Sequence, residues 1–276
     1  MKLKYLGTGA SEGIPSPYCH CPVCENARKN GGKDFRTRTG FVLDNTIAID
    51  FSPDSYVNMN RWGVDFGSIA HLLISHTHED HYYPDDIVMR TPASTKGIAP
   101  VLTLYGNEFV RKRLYAVDFF NEYVLKFVAV KTIECNKTYD IAGYQVTPFY
   151  TNHMRREDAM EFLIQKDGKS YLHLVDSTDP TELVYQYMQE HHVVLNAISC
   201  DCTFGSLKDE FYGHMNIWQN IRLRDRFKAN GNLAPNALVV CTHISHYSGV
   251  DTHEHLSQIA KENGLIVAYD GMEIEF

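Results

Sequence analysis

The stretch Ser75-His76-Thr77-His78-Glu79-Asp80-His81 constrains this chain more than any other. It follows the apolar run His71-Leu72-Leu73-Ile74, which reads as a buried strand. Three imidazoles and a carboxylate thus crowd into a turn at a strand end, a usual place for a site in an α/β sheet. One cation cannot take all four from so tight a turn without strain. Alternation along extended backbone sends His76 and His78 to one side, and the next turn aims Asp80 and His81 elsewhere. That is a plan for two adjacent metal ions, each awaiting ligands from later in the chain. The bland alternative is a solvated His-rich turn. Three histidines and an aspartate directly after a hydrophobic strand argue against it.

The pattern H-x-H-x-D-H resembles the signature of the metallo-β-lactamase superfamily. The resemblance implies an α/β chain folded as a four-layer αββα sandwich, with a two-metal hydrolytic site on one edge. It implies chemistry and leaves the substrate open.

The 276 residues are read as a single domain, 1–276, and the apolar share of 44% is enough for a substantial core. The net charge of -8 is spread rather than blocked, which argues against a nucleic-acid surface. No apolar run reaches the length of a membrane span. The start, Met1 to Gly7, goes straight into an alternating strand and has no cleavage site of a signal peptide. A cytoplasmic enzyme is expected.

Of the seven cysteines, three form the C-x-C-x-x-C knuckle Cys19, Cys21, Cys24. Three thiolates this close repel one another unless a cation holds them, and zinc usually takes four ligands in a structural site. A fourth ligand must come from elsewhere, because His20 is expected to point away. Without an export signal, metal is favoured over disulfides.

The remaining chain reads as alternating strands and helices. Gly7-Thr8-Gly9 to Pro15 is a Gly-rich loop, either a phosphate cradle or a tight turn. Arg36 and Arg38 read as a solvated basic face. Asp44-Asn45 and Asp167-Gly168 mark hairpins. Residues 84–100 read as an irregular excursion and the aromatic stretch 118–125 as a core satellite. Asn107 caps a helix to about Tyr115. Strands are expected at 126–133 and 144–150, and His153 lies just beyond the second, as a fifth ligand. Asp176 ends the strand Ser170–Val175 and is the natural bridging carboxylate. Asp179 is expected to cap the helix from Pro180, and Asp251 the last helix. His214, near a helix N-terminus, is expected to keep a pKa near neutral or below. His253 and His255 read as surface residues of the last helix, and His71, His173, His191 and His192 are read the same way.

Three features together narrow the resemblance: the early C-x-C-x-x-C, Thr242-His243-Ile244-Ser245-His246, and Tyr269-Asp270-Gly271-Met272-Glu273-Ile274. The set is similar to the PhnP-type phosphodiesterases of the carbon–phosphorus lyase pathway, over most of the chain. This resemblance implies hydrolysis of small cyclic phosphodiesters, notably 5-phosphoribosyl 1,2-cyclic phosphate. It implies one metal on His76, His78 and His153, and a second on Asp80, His81 and His243. Asp176 would bridge the two, and a separate structural zinc would take Cys19, Cys21, Cys24 and His246. The active-site ions would be manganese or zinc. His214, or Asp80, would protonate the leaving oxygen. A homodimer is implied as well. Met154-Arg155-Arg156 and the excursion at 84–125 depart from the family pattern.

Two other superfamily members compete. One is a PQQ-biosynthesis-type hydroxylase, against which the intact seven-ligand set stands. The other is a tRNA 3′-end-type endoribonuclease, which needs a basic arm that this acidic chain does not show. A glyoxalase-type thioester hydrolase leaves the cysteine knuckle unexplained. A non-catalytic metal-binding module leaves the complete ligand set without a purpose.

Overall fold

Two sheets carry the chain, each built from one half of it. The computed structural model describes residues 1–276 apart from 98–99, 155 and 211. The first half contains β1 (Lys2–Gly7), α1 (Pro22–Asn30), β2 (Gly40–Leu43), β3 (Ile47–Ile49), α2 (Ser55–Trp62), β4 (His71–Leu73), α3 (Pro84–Ile87), β5 (Leu102–Gly106), α4 (Glu108–Tyr115) and β6 (Val128–Thr132). The second contains β7 (Tyr139–Ile141), β8 (Tyr144–Tyr150), β9 (Met160–Lys166), β10 (Lys169–Leu174), α5 (Glu182–Glu190), β11 (Leu195–Asp201), α6 (Ile217–Ala229), β12 (Leu233–Thr242), α7 (His253–Glu262), β13 (Ile266–Val267) and β14 (Glu273–Glu275).

One sheet has the order β14-β1-β2-β3-β4-β5-β6, the other β13-β12-β11-β10-β9-β8-β7. Only β14 crosses between halves, pairing antiparallel with β1 through Lys2↔Glu275 and Leu3↔Ile274. Strands β3 to β6 run parallel, as do β10 to β13. Parallel neighbours bring their C-terminal ends to one edge of each sheet, where crossovers leave room for ligands.

Three apolar clusters make the layers. Leu3, Tyr5, Phe41, Ile49, Phe162 and Tyr171 lie between the two sheets. Leu72, Ile74, Val110 and Leu114 join the first sheet to its helices, and Leu172, Ile198, Phe227 and Leu256 join the second to its own. Each such side chain contributes roughly 1.5–3 kcal/mol when fully buried. The four layers are those of the αββα sandwich.

Local chemistry explains the boundaries. Asp44 and Asn45 both have positive φ, 49° and 51°, as the central pair of a primed turn requires, and Thr46 N donates to the Leu43 carbonyl to close it between β2 and β3. The Asn107 side chain accepts from Phe109 N and Val110 N and starts α4. Asn216 and Gln219 form a capping box at the start of α6.

Several expectations are corrected. In the Gly-rich loop a Cβ on Gly7 would lie 2.0 Å from the Arg38 carbonyl oxygen, so this glycine permits close backbone approach. Arg36 is buried, not solvated, and donates to Thr8 Oγ1 and to the Ala268 carbonyl, each at 2.7 Å. Its other terminal nitrogen lies 3.0 Å from His253 Nδ1, so His253 is no free surface residue. Thr181 and Thr252 are the N-caps of α5 and α7. Asp179 instead accepts from the Tyr185 hydroxyl at 2.9 Å, and Asp251 accepts from Ser206 N at 2.7 Å. The excursion at 84–100 includes the single helical turn α3, with 98–99 outside the described residues. In the stretch 118–125, Phe119 is exposed and only Val124 is fully packed. Strand β7 has no apolar run of its own and is held by pairing with β8.

Candidate metal centre

Strand ends of both sheets meet over one carboxylate. His76, His78, Asp80 and His81 follow β4, His153 follows β8, Asp176 follows β10 and His243 follows β12. Asp176 Oδ2 lies 3.3 Å from His76 Nε2, 3.0 Å from His81 Nε2 and 3.2 Å from His153 Nε2. Its Oδ1 lies 3.0 Å from His243 Nε2. His78 Nδ1 faces His153 Nε2 at 3.1 Å. Asp80 Oδ2 stands 3.4 Å from both His81 Nε2 and His243 Nε2. Two groups of donors hold the seven side chains, His76, His78, His153, Asp176 and Asp80, His81, Asp176, His243, and Asp176 belongs to both; a further group, Asp176, Asp201, His214, His243, overlaps them.

The backbone is bent to make this possible. Asp176 and His243 have φ of 53° and 56°, in the left-handed region that non-glycine residues avoid. So does Asp50, at 60°, beside the same site. Such outliers cluster where function over-determines the geometry.

The outward nitrogens of His76, His81, His153 and His243 are held. His81 Nδ1 donates to Asp50 Oδ2 at 2.7 Å, and His153 Nδ1 to the Gly213 carbonyl at 3.0 Å. His76 Nδ1 is 3.0 Å from Ser75 Oγ, and His243 Nδ1 is 2.8 Å from Thr203 Oγ1. A proton held on the outward nitrogen leaves the Nε2 lone pair facing inward, as metal-ligating imidazoles require.

The donors fit cations. His76 Nε2 and Asp176 Oδ1 are buried and have no hydrogen-bond partner among the described residues. Two inward lone pairs, on His81 and His243, face each other at 3.4 Å. Lone pairs so placed repel unless a proton or a metal lies between them. Ligands at about 2.0–2.1 Å from a tetrahedral ion are separated by roughly 3.3 Å, close to the spacings found.

Charges follow the same geometry. Burial pushes the His76 imidazole down to about 3. Burial also opposes a charge on His243, but Asp176, Asp80 and Asp201 outweigh it and push this imidazole up to about 10. His81 is likewise raised against its burial, by Asp176, Asp50 and Asp80. Burial works against the Asp80 and Asp176 carboxylates, yet the surrounding imidazoles hold both well below the usual range.

His214 sits beside this cluster, with Nδ1 2.9 Å from Asp201 Oδ2 and 3.3 Å from Asp176 Oδ1. Its pKa is raised, not held near neutral: burial lowers it, but the Asp201 carboxylate prevails over that and over the nearby start of α6. Asp50, Ser75, Asp201 and Thr203 were not singled out as site residues from the sequence. The signal in reach was an acid ending an apolar strand, which holds for both Asp50 and Asp201.

The cysteine knuckle is brought to the same edge. Cys19, Cys21, Cys24 and His246 form a separate donor group. His246 Nδ1 is 3.4 Å from Cys19 Sγ and 3.5 Å from Cys21 Sγ, near the roughly 3.5 Å edge expected with zinc–sulfur bonds of about 2.3 Å. Burial pushes the Cys24 thiol up to about 12. His20 turns away to Glu25, at 2.7 Å. Arg155 lies outside the described residues.

Comparison with known proteins agrees with this architecture. Residues 45–258 match the beta-lactamase superfamily domain. A curated relative from Porphyromonas gingivalis (strain ATCC BAA-308 / W83), named octanoyltransferase, is 31% identical over 283 aligned residues. The match takes in 99% of this chain and 51% of the relative, so the chain spans about half its length. Among solved structures, a diphosphatase of the PhnP family superposes with a TM-score of 0.74 at 23% identity, over 100% of this chain and 97% of that one. Zinc-bound PqqB from Methylobacterium extorquens gives 0.76 at 18%, over 100% of both. The short form of human tRNase Z gives 0.64 at 18%, over 100% of this chain and 99% of the other. These likenesses are of fold. With the family match over most of its length, this chain belongs to the metallo-β-lactamase superfamily of metal-dependent hydrolases.

Proposed function

We infer that the protein is a dinuclear-metal phosphodiesterase acting on small cyclic phosphodiesters, with 5-phosphoribosyl 1,2-cyclic phosphate as the reference substrate. The observation that carries this reading is the convergence of four imidazole Nε2 atoms, those of His76, His81, His153 and His243, within 3.3 Å of one carboxylate, that of Asp176. One ion belongs on His76, His78 and His153, the other on Asp80, His81 and His243, with Asp176 shared. Mixed imidazole and carboxylate donors suit zinc and tolerate manganese. The four-ligand Cys19, Cys21, Cys24, His246 set leaves no open position and belongs to a structural zinc.

When bound, two divalent ions supply Lewis acidity and charge neutralisation to the diester and to the attacking water. The chain's own residues do the rest. Water adds to phosphorus, one P–O ester bond breaks, and the leaving alkoxide takes a proton. Of the two candidate donors, Asp80 is held ionised by His81 and His243 and is suited to be a ligand only. His214 has Nδ1 fixed by Asp201, which leaves Nε2 to hold the proton delivered to the alkoxide. A cavity of about 450 Å³ opens over the cluster, enough for a small phosphodiester.

Replacement of Asp176 by Ala tests the assignment. Hydrolysis of bis(p-nitrophenyl) phosphate, assayed with manganese and with zinc, is expected to fall at least about 100-fold. Activity close to wild type sinks it. The relative named octanoyltransferase favours a second reading, hydrolysis of an octanoyl ester at the same ions. p-Nitrophenyl octanoate belongs in the same assay, and a preference for it over every diester would replace the first reading.

A further inference from the structure

The outer half of the cavity has chemistry that a bare sugar phosphate does not use. Ser11, Glu12, Phe204, Ser245 and Tyr247 line it together with His214. A chain of rings leads outward from the metal ligands. His243 stacks on His214 at 5.7 Å, and His214 meets Phe204 edge-on at 5.8 Å. Phe204 in turn meets Tyr247 at 5.6 Å and 87°. Phe204 is 8% exposed and anchored, while Tyr247, at 67%, holds an open ring face at the mouth.

Opposite polarity is provided by Glu12. Its Oε1 accepts from the Ser245 hydroxyl and its Oε2 from the Ser11 hydroxyl at 3.2 Å. Each carboxylate oxygen keeps a further lone pair, that of Oε1 shared with His246 Nε2 at 3.7 Å. Two hydroxyls on a half-buried carboxylate, with 29% of its side chain exposed, fix its orientation. An aromatic face beside a fixed pair of acceptors is how proteins hold a splayed base, by stacking and by its Watson–Crick edge.

We propose that Tyr247, Phe204 and Glu12 form a nucleobase subsite, so that the substrate is a nucleoside cyclic phosphate with guanine preferred. Guanine presents adjacent N–H donors on that edge, matching two carboxylate oxygens. Uracil presents one N–H between two carbonyls, which a carboxylate repels. The volume of about 450 Å³ accommodates a mononucleotide. For hydrolysis the proposal rests on the phosphodiesterase reading, and it narrows that reading, because a base-free phosphoribosyl diester leaves the subsite empty. For binding it stands independently.

The test is binding and turnover on the metal-loaded protein. By calorimetry, guanosine 3′-monophosphate is expected to bind about tenfold more tightly than uridine 3′-monophosphate. Tyr247→Ala is expected to weaken guanosine monophosphate binding roughly tenfold, and Glu12→Gln to erase the preference over uridine. In turnover, the ratio of kcat/KM for guanosine 2′,3′-cyclic phosphate to that for ribose 2,3-cyclic phosphate is expected to exceed about ten and to collapse in Tyr247→Ala. Equal affinities for the two monophosphates, or affinities unmoved by either substitution, overturn the subsite even if bis(p-nitrophenyl) phosphate is hydrolysed. Guanosine monophosphate binding that follows this pattern in a protein inert toward every diester upholds the subsite and overturns the phosphodiesterase reading instead.

Discussion

Asp50 accepts a hydrogen bond from His81 Nδ1 at 2.7 Å, and both side chains are fully buried. The same carboxylate accepts from Ser75 N at 2.8 Å, so it also fixes the start of the His-rich turn. His81 is thereby held with Nε2 toward Asp176. Asp50→Asn removes the charge and keeps the shape. Affinity for zinc at the dinuclear site is expected to drop about 10- to 100-fold, read by competition with a chromophoric chelator. An unchanged affinity in a folded variant would show that Asp50 only shapes the turn.

The cysteine knuckle bears on stability. Cys21→Ser is expected to lower the zinc content by about one ion per chain, with a lower Tm, because the 19–24 loop loses its tie to His246. Elemental analysis checks it, and a zinc count equal to that of wild type rules the site out.

Metal uptake is expected to release protons. In the metal-free protein the Asp176, Asp80 and Asp201 carboxylates outweigh burial and push His243 up to about 10, so it is cationic at pH 7. Ligation needs the neutral imidazole. Affinity for zinc is therefore expected to increase as pH rises from 6 towards 10. Calorimetry in buffers of different ionisation enthalpy should show net proton release at pH 7, because His243 must lose its extra proton. Zero net release would contradict the protonated His243.

Glu161 gives a pH dependence away from the metals. Burial pushes its carboxyl up to about 8 from an ordinary 4.5, and only partly does the Ser177 hydroxyl, 3.0 Å away, oppose this. A folded pKa above the unfolded one means stability that is full below pH 4.5 and lost as pH rises through 8. Glu161→Gln removes that loss. Its Tm is expected to exceed that of wild type at pH 9 by on the order of 5 °C and to match it at pH 5. Equal Tm values at pH 9 would place the proton elsewhere.

Much of this site was legible because ligand chemistry is local. An imidazole or carboxylate just past an apolar run sits at a strand end whatever the sheet order, and this held for His153, Asp176 and His243. The supporting shell was harder to see. Asp50 and Asp201 look like turn formers until the sheets pack, and Thr203 looks like any loop residue. Arg36 reads as a surface cation because nothing near it in sequence shows that Thr8 and the Ala268 carbonyl will cover it.

By itself the sequence determined which side chains reach strand ends and which donor atoms they offer, since period, turn chemistry and residue type act over a few positions. Only the tertiary structure decided which nitrogen of each histidine faces inward and that Asp176 is the one shared by both groups. Those outcomes depend on strands far apart in sequence lying side by side, as β4, β8, β10 and β12 do at one edge, and on partners such as Asp50 and Gly213 that take hold of the opposite nitrogen.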